Sequence, residues 1–252
     1  MKRTKKIALI ALAVMLMAVC FIFGASAESF EEGIFTYEVE NEKATIIGIN
    51  GTDNGKLIVP DTLGGYEVVA IERGVFRSAI TEFSVSEENR YFSVDEFGVL
   101  FNKDKTELIA YPVANTRKTY KIPESVEVIW NRSFREVLFL RNIELPENLK
   151  EVEEYAFYSG VIFFEELYFY DKVEKIGEAA FYSLPFLKKI YVEGMTTEIN
   201  GERPLGFREL YIKDGVDRDE FADKYIEYCL TGNEEILMEL ENCLEFPEES
   251  YY

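Results

Sequence analysis

Apolar positions recur in this chain at a fixed long period. The middle third reads Ile122-Pro123-x-x-Val126-x-x-Ile129-x-x-x-x-Phe134, then Leu145-Pro146-x-x-Leu149-x-x-Val152-x-x-x-x-Phe157. A third unit runs Phe169-Tyr170-x-x-Val173-x-x-Ile176-x-x-x-x-Phe181. The Phe lies 11 positions after the Pro (or Tyr170) in each unit, and the Phe residues lie 23 and then 24 apart. A period of this length denotes stacked supersecondary units, none of which can bury its apolar face alone. The column Phe76, Phe134, Phe157 and Phe181 then supplies one core anchor per unit.

Around this stack the polarity pattern changes. Short alternating runs at Phe35–Val39 and Ala44–Ile49, with turns at Asn41–Lys43 and Asn50–Gly55, predict a β-rich N-terminal cap over residues 28–56. Leu57-Ile58-Val59-Pro60 opens a longer first unit, lengthened by Gly64-Gly65-Tyr66-Glu67 before Val68 and Ile71. Residues 84–115 interrupt the period. Phe97–Phe101 and Glu107–Pro112 flank Asn102-Lys103-Asp104-Lys105 there, which predicts a β-hairpin. The repeats as a whole occupy 57–215. Beyond them, Arg218–Leu230 and Glu234–Leu244 carry helical spacing, so 216–252 reads as a helical segment capping the open end, with a loose acidic tail. The fold class expected is an α+β repeat solenoid.

The pattern Ile-Pro-x-x-Val-x-x-Ile-Gly-x-x-Ala-Phe resembles the BspA-type leucine-rich repeat of secreted and surface proteins from host-associated bacteria. Val173-Glu174-Lys175-Ile176-Gly177-Glu178-Ala179-Ala180-Phe181 is the best copy. The segments Ala44–Ile46, Leu57–Pro60 and Val68–Ile71 resemble that family's N-terminal cap and first repeat, and Asp95–Pro112 resembles a hairpin its members often carry. Glu72, Trp130 and Glu153 stand where the motif commonly has Gly, and Tyr170 replaces Pro. The resemblance implies adhesion, host-protein binding or another surface role, with no shared catalytic residues.

Residues 1–27 read as a secretory signal: a basic Met1–Lys6, an apolar Ile7–Phe23 and the small-x-small Ala25-Ser26-Ala27. The rival reading is an uncleaved membrane anchor. With cleavage, a secreted or non-covalently surface-associated protein is expected, with no further membrane insertion; no Leu-Pro-x-Thr-Gly anchor signal or C-terminal apolar span is seen. Loss of four basic residues would move the net charge from −20 to −24. Such a balance argues against nucleic acid and anionic membranes, which select basic patches. The chain holds no histidine, which removes Ser-His-Asp and Cys-His catalysis and His-ligated zinc. Neither an enzyme nor a cofactor is expected. Cys229 and Cys243 could pair if their helices do.

Side chains alternate along a strand, so residues between the inward ones project from one sheet face. Taking Tyr120/Ile122, Ile143/Leu145, Leu167/Phe169, Ile190/Val192 and Leu210/Ile212 as inward leaves two outward columns. One is Lys121, Glu144, Tyr168, Tyr191 and Tyr211; the other includes Tyr170, Glu193 and Lys213. A Tyr168–Tyr191–Tyr211 ladder beside scattered charge suits recognition of an extracellular protein or glycan. The same rings could instead only stabilise the sheet, as in a spacer protein. A carbohydrate-active enzyme is the remaining alternative, but acidic pairs are too common among 47 carboxylates to single one out.

Overall fold

The computed structural model describes residues 28–52, 55–76, 79–137, 139–158, 166–182 and 184. It further describes 189–192, 198–199, 211–212, 220, 223–224, 227, 233–242 and 244–245. The N-terminal cap is an antiparallel run of β1 (Ser29–Glu32), β2 (Phe35–Glu40) and β3 (Lys43–Ile49). Asn41 and Glu42 between β2 and β3 both take positive φ, the type I′ geometry that matches the strand twist. The first repeat contributes β4 (Lys56–Ile58), β5 (Thr62–Leu63) and β6 (Tyr66–Ile71). Gly64 and Gly65 turn β5 back on β6, which pairs parallel with β3 and completes a five-stranded sheet. The expected cap strands are there; β1 is an additional edge strand.

The repeats build two sets of strands, one continuous sheet and a series of two-stranded pairs, rather than the single strand layer expected. After β7 (Glu82–Ser84), β8 (Phe92–Val94), β9 (Leu100–Asn102) and β10 (Glu107–Ala110), strands come two to a repeat. These are β11 (Thr119–Lys121) with β12 (Val128–Ile129), β13 (Asn142–Glu144) with β14 (Glu151–Val152), and β15 (Glu166–Phe169) with β16 (Lys175–Ile176). They are followed by β17 (Lys189–Val192) and β18 (Glu198–Ile199). The first strands form parallel pairs β4–β7, β11–β13 and β15–β17. The second strands join one seven-stranded sheet, ordered β18-β16-β14-β12-β10-β9-β8. A two-residue strand is too short to show alternation, so the x-x-Ile spacing hid this second sheet.

The interrupting segment is the hairpin expected, with β9 and β10 antiparallel and β8 added outside β9. It also continues the stack: Leu108 of β10 aligns with Ile129, as Ile129 does with Val152 and Val152 with Ile176. Phe134, Phe157 and Phe181 are fully buried, and so are Ile122, Phe169 and Val152. Phe76 is not a member of their column. It is half-buried and packs edge-on against Phe83, 4.8 Å between centroids, because the inserted β5–β6 turn ties the first repeat to the cap. Its place is taken by Tyr111, directly after β10, which stacks on Phe134.

Each turn leading to a motif Phe, Phe76 included, passes through one left-handed residue: Gly74, Arg132, Tyr155 and Ala179, with φ of 76°, 56°, 54° and 50°. All four sit two residues before the Phe. The bend lets successive turns bond to each other, Phe134 N–H donating to Ala156 C=O and Phe157 N–H to Ala180 C=O, both at 2.8 Å. Three L-residues accept this conformation, each against a steric cost of about 1–2 kcal/mol.

Among the described residues the chain is thus a strongly β-rich repeat solenoid with one short helix, which does not confirm the α+β class expected. The C-terminal part contributes β19 (Tyr211–Ile212), α1 (Glu234–Asn242) and β20 (Leu244–Glu245). Of the first expected helix, only Glu220, Asp223, Lys224 and Glu227 are described. Leu240 of α1 is buried, and Lys224 pairs with Glu239 at 3.0 Å. Among the described residues no helix is long and apolar enough to cross a membrane.

Candidate functional site

The strand face carries most of the residues that alternation singled out. Lys121 and Glu144 are register partners on β11 and β13, exposed and paired at 3.8 Å, with Lys121 also 3.4 Å from Glu124. Exposed pairs of this kind contribute about 0–1 kcal/mol. Tyr168 and Tyr191 are register partners on β15 and β17, 43% and 42% exposed. Their ring centroids are 6.1 Å apart with planes at 34°, and Tyr170 meets Tyr168 edge-on at 5.1 Å. Leu167 and Phe169 point into the core between these tyrosines, which is what turns the rings outward.

The ladder does not run on to Tyr211 among the described strands. β19 pairs antiparallel with β20, Tyr211 facing Glu245, rather than with β17. The side chain of Tyr211, and Glu193, Lys213, Cys229 and Cys243, lie outside the described residues.

A second arrangement sits on the other sheet, and alternation did not find it. Arg73 Nε donates to both oxygens of Glu153, at 2.9 and 2.7 Å, across 80 residues of chain. The Glu153 carboxylate beside it holds the Arg73 guanidinium above its ordinary value, against the opposing effect of burial. Asn131 N–H donates to the same carboxylate at 2.8 Å. Asn131 Nδ2 donates to Glu154 C=O at 2.8 Å and to its Oε1 at 3.2 Å, and Arg132 Nη1 donates to Asn131 Oδ1 at 3.0 Å. Arg73 lies 4.3 Å over the ring of Trp130, whose Nε1–H donates to Glu107 Oε2 at 2.8 Å. Arg73, Asn131, Arg132, Glu153 and Glu154, together with Glu151, Lys175, Gly177 and Glu178, line an open groove of about 520 Å³.

One repeat position explains the groove. Glu72, Trp130, Glu153 and Gly177 occupy the column where the motif favours Gly. Trp130 gives Arg73 a platform, Glu153 gives it a partner, and Gly177 packs directly against the backbone of Glu153 and Glu154. The departures were legible as departures; that Arg73 meets two of them was not, because it comes from another repeat. Among the described residues no group of His, Cys, Asp or Glu is placed to hold a metal ion.

The repeat motif, its two short strands and the stacked Phe column agree with the sequence comparisons. Residues 113–203 match the BspA type leucine rich repeat region, in six copies. Residues 113–203 are thus a BspA-type leucine-rich-repeat region. A leucine-rich repeat protein from Eubacterium ventriosum shares the fold, with a TM-score of 0.50 and 23% identity over 56% of this chain and 37% of that one. The pneumococcal vaccine antigen PcpA aligns over 54% of this chain and 38% of its own, at 28% identity and a TM-score of 0.43. A leucine rich cell surface protein from Faecalibacterium prausnitzii aligns over 68% of this chain and 56% of its own, at 18% identity and a TM-score of 0.38. The chain therefore spans under two fifths of the length of the first two of these proteins. No curated protein matches it.

Proposed function

We propose that this BspA-type stack is an extracellular binding module that engages a protein or glycan through its strand face, without catalysis. The carrying observation is the Tyr168–Tyr191 pair, exposed, in register and 6.1 Å apart, with Tyr170 edge-on beside it. Rings with an apolar face and a hydroxyl tip suit the C–H faces of sugars and the backbone of extended peptides. On the other first-strand pairs, Lys56 is ion-paired with Glu82 and Lys121 with Glu144. Export by the 1–27 segment belongs to the same reading, with cleavage before residue 28.

The alternative is a spacer protein whose tyrosines only stabilise the sheet, and the edge-on Tyr168–Tyr170 contact favours it to that extent. Arrays of glycans and extracellular matrix proteins, probed with the parent and with a Tyr168→Ala/Tyr191→Ala variant of matching circular dichroism, separate the two. The binding module loses its partner in the variant. The spacer shows no partner in either protein.

A further inference from the structure

We infer that the groove between Arg73 and Gly177 is a second binding site, and that its ligand is a neutral oligosaccharide. The argument begins with preorganisation. Glu153, Asn131 and Arg132 are fixed by one another's hydrogen bonds, and Arg73 is held between Glu153 and the Trp130 ring. A ligand entering here meets groups whose ordering cost has been met by the fold.

Hydrogen-bonding capacity remains on both sides of the groove. Among the described residues, Arg73 donates only through Nε and Arg132 only through Nη1, so each guanidinium keeps further N–H donors. Glu178, exposed at the rim, accepts no side-chain hydrogen bond from a described residue. Donors and acceptors thus line one space. A sugar hydroxyl both donates and accepts, so a polyol satisfies such a lining where a simple anion or cation cannot.

Charge points the same way. Arg73, Arg132 and Lys175 stand against Glu151, Glu153, Glu154 and Glu178, so the lining is close to neutral in a strongly acidic chain. Lys175 is further neutralised by its ion pair with Glu151. An anionic ligand would meet four carboxylates, and a cationic one would compete with arginines already in place. A neutral ligand carries neither cost. The volume, about 520 Å³, falls within the range of small-ligand sites, and the open end accommodates a chain continuing past it.

Trp130 is the only tryptophan of the chain and packs under Arg73, which lines the groove, so its emission reports on the groove through Arg73. The full chain is titrated with neutral hexasaccharides: cello-, xylo-, manno-, malto-, laminari- and chitohexaose. At least one should shift Trp130 emission along a saturating curve that is unchanged by salt. Arg132→Ala should weaken that binding about tenfold or more, the effect of losing one hydrogen bond from a charged donor. Glu178→Tyr, which fills the groove from an exposed position, should abolish it while the melting curve stays that of the parent.

The inference is overturned if no hexasaccharide moves Trp130 at millimolar concentration, or if both variants bind as the parent does. It is equally overturned if only charged probes, a heparin hexasaccharide or hexalysine, give a response and that response decays with salt. A partner lost on the strand-face arrays leaves these outcomes unchanged, so the two sites stand or fall separately.

Discussion

Phe134 and Phe157 lie one above the other, ring centroids 4.7 Å apart and planes 8° from parallel. Isolated aromatic pairs favour offset or edge-on contact, so the arrangement is imposed from outside the pair. The separation is that of neighbouring β-strands: each ring inherits the rise of its repeat. Tyr111 and Phe181 extend the column at 5.3 and 5.2 Å, giving four rings from four successive turns. Phe157→Ala removes a ring with a partner on each side and leaves a closed cavity. It should cost about 3–5 kcal/mol, read as a fall in the urea midpoint at constant slope. A cost below about 1 kcal/mol would mean that the column does not hold the repeats together.

Ser133 precedes Phe134 where the next two repeats have Ala156 and Ala180. All three are buried, yet the Ser133 hydroxyl finds no hydrogen-bond partner. An unsatisfied buried hydroxyl costs about 1–3 kcal/mol. Ser133→Ala should therefore stabilise the chain by about 1 kcal/mol, raising its melting temperature by roughly 2–4 °C. A lower melting temperature in the variant would show that the hydroxyl is satisfied in solution.

Gly177 and Ala179 make opposite demands two residues apart. A Cβ at Gly177 would lie 2.3 Å from Glu154 N and 2.6 Å from Glu153 C, both backbone atoms of the preceding repeat. Backbone cannot step aside as a side chain can, so Gly177→Ala should cost about 2 kcal/mol or more. Ala179 has φ of 50°, where glycine is at ease. Relief of that strain roughly offsets the added freedom of glycine in the unfolded chain, so Ala179→Gly should be neutral within about 0.5 kcal/mol. Chemical denaturation of the two variants side by side checks the contrast, which fails if Gly177→Ala is the better tolerated.

What the sequence shows here depends on whether a feature repeats. The positions of Phe134, Phe157 and Phe181 were readable because a solenoid writes the same constraint once per turn. Tyr111 was not, since the hairpin before it breaks the period and a tyrosine replaces the phenylalanine. Phe76 keeps the motif but not the place, because the β5–β6 turn commits its repeat to the cap. Alternation put Tyr168 and Tyr191 side by side correctly, as neighbouring strands in register must. The groove has no period at all. Arg73, Asn131, Glu153 and Gly177 come from separate turns, and only the fold brings an arginine of the first repeat to a glutamate of a later one.

Tyr120 ties the hairpin to the first regular repeat through its hydroxyl, which donates to Asp95 Oδ2 at 2.7 Å. Asp95 Oδ1 accepts from Phe97 N–H and Val99 N–H, both at 2.9 Å, so the carboxylate is fully engaged in shaping this corner. Burial first, and then the Asp95 charge, push the Tyr120 phenol well above its ordinary value; burial does the same to Tyr111. A group whose folded value is raised keeps its proton longer in the folded chain than in the unfolded one. Its contribution is therefore complete below the unfolded value, about pH 10, and is lost as pH rises beyond it. Stability should be flat from pH 7 to 9 with respect to this group and then fall. Tyr120→Phe should lower stability at pH 7 by about 1.5–3 kcal/mol, the worth of a hydrogen bond to a charged group. It should also flatten the decline above pH 10, where lysine deprotonation still acts on both proteins. Urea midpoints for parent and variant from pH 7 to 11 give the test. Curves that stay parallel above pH 10 would show that Tyr120 titrates alike in the folded and unfolded chain, and that the Asp95 contact does not persist in solution.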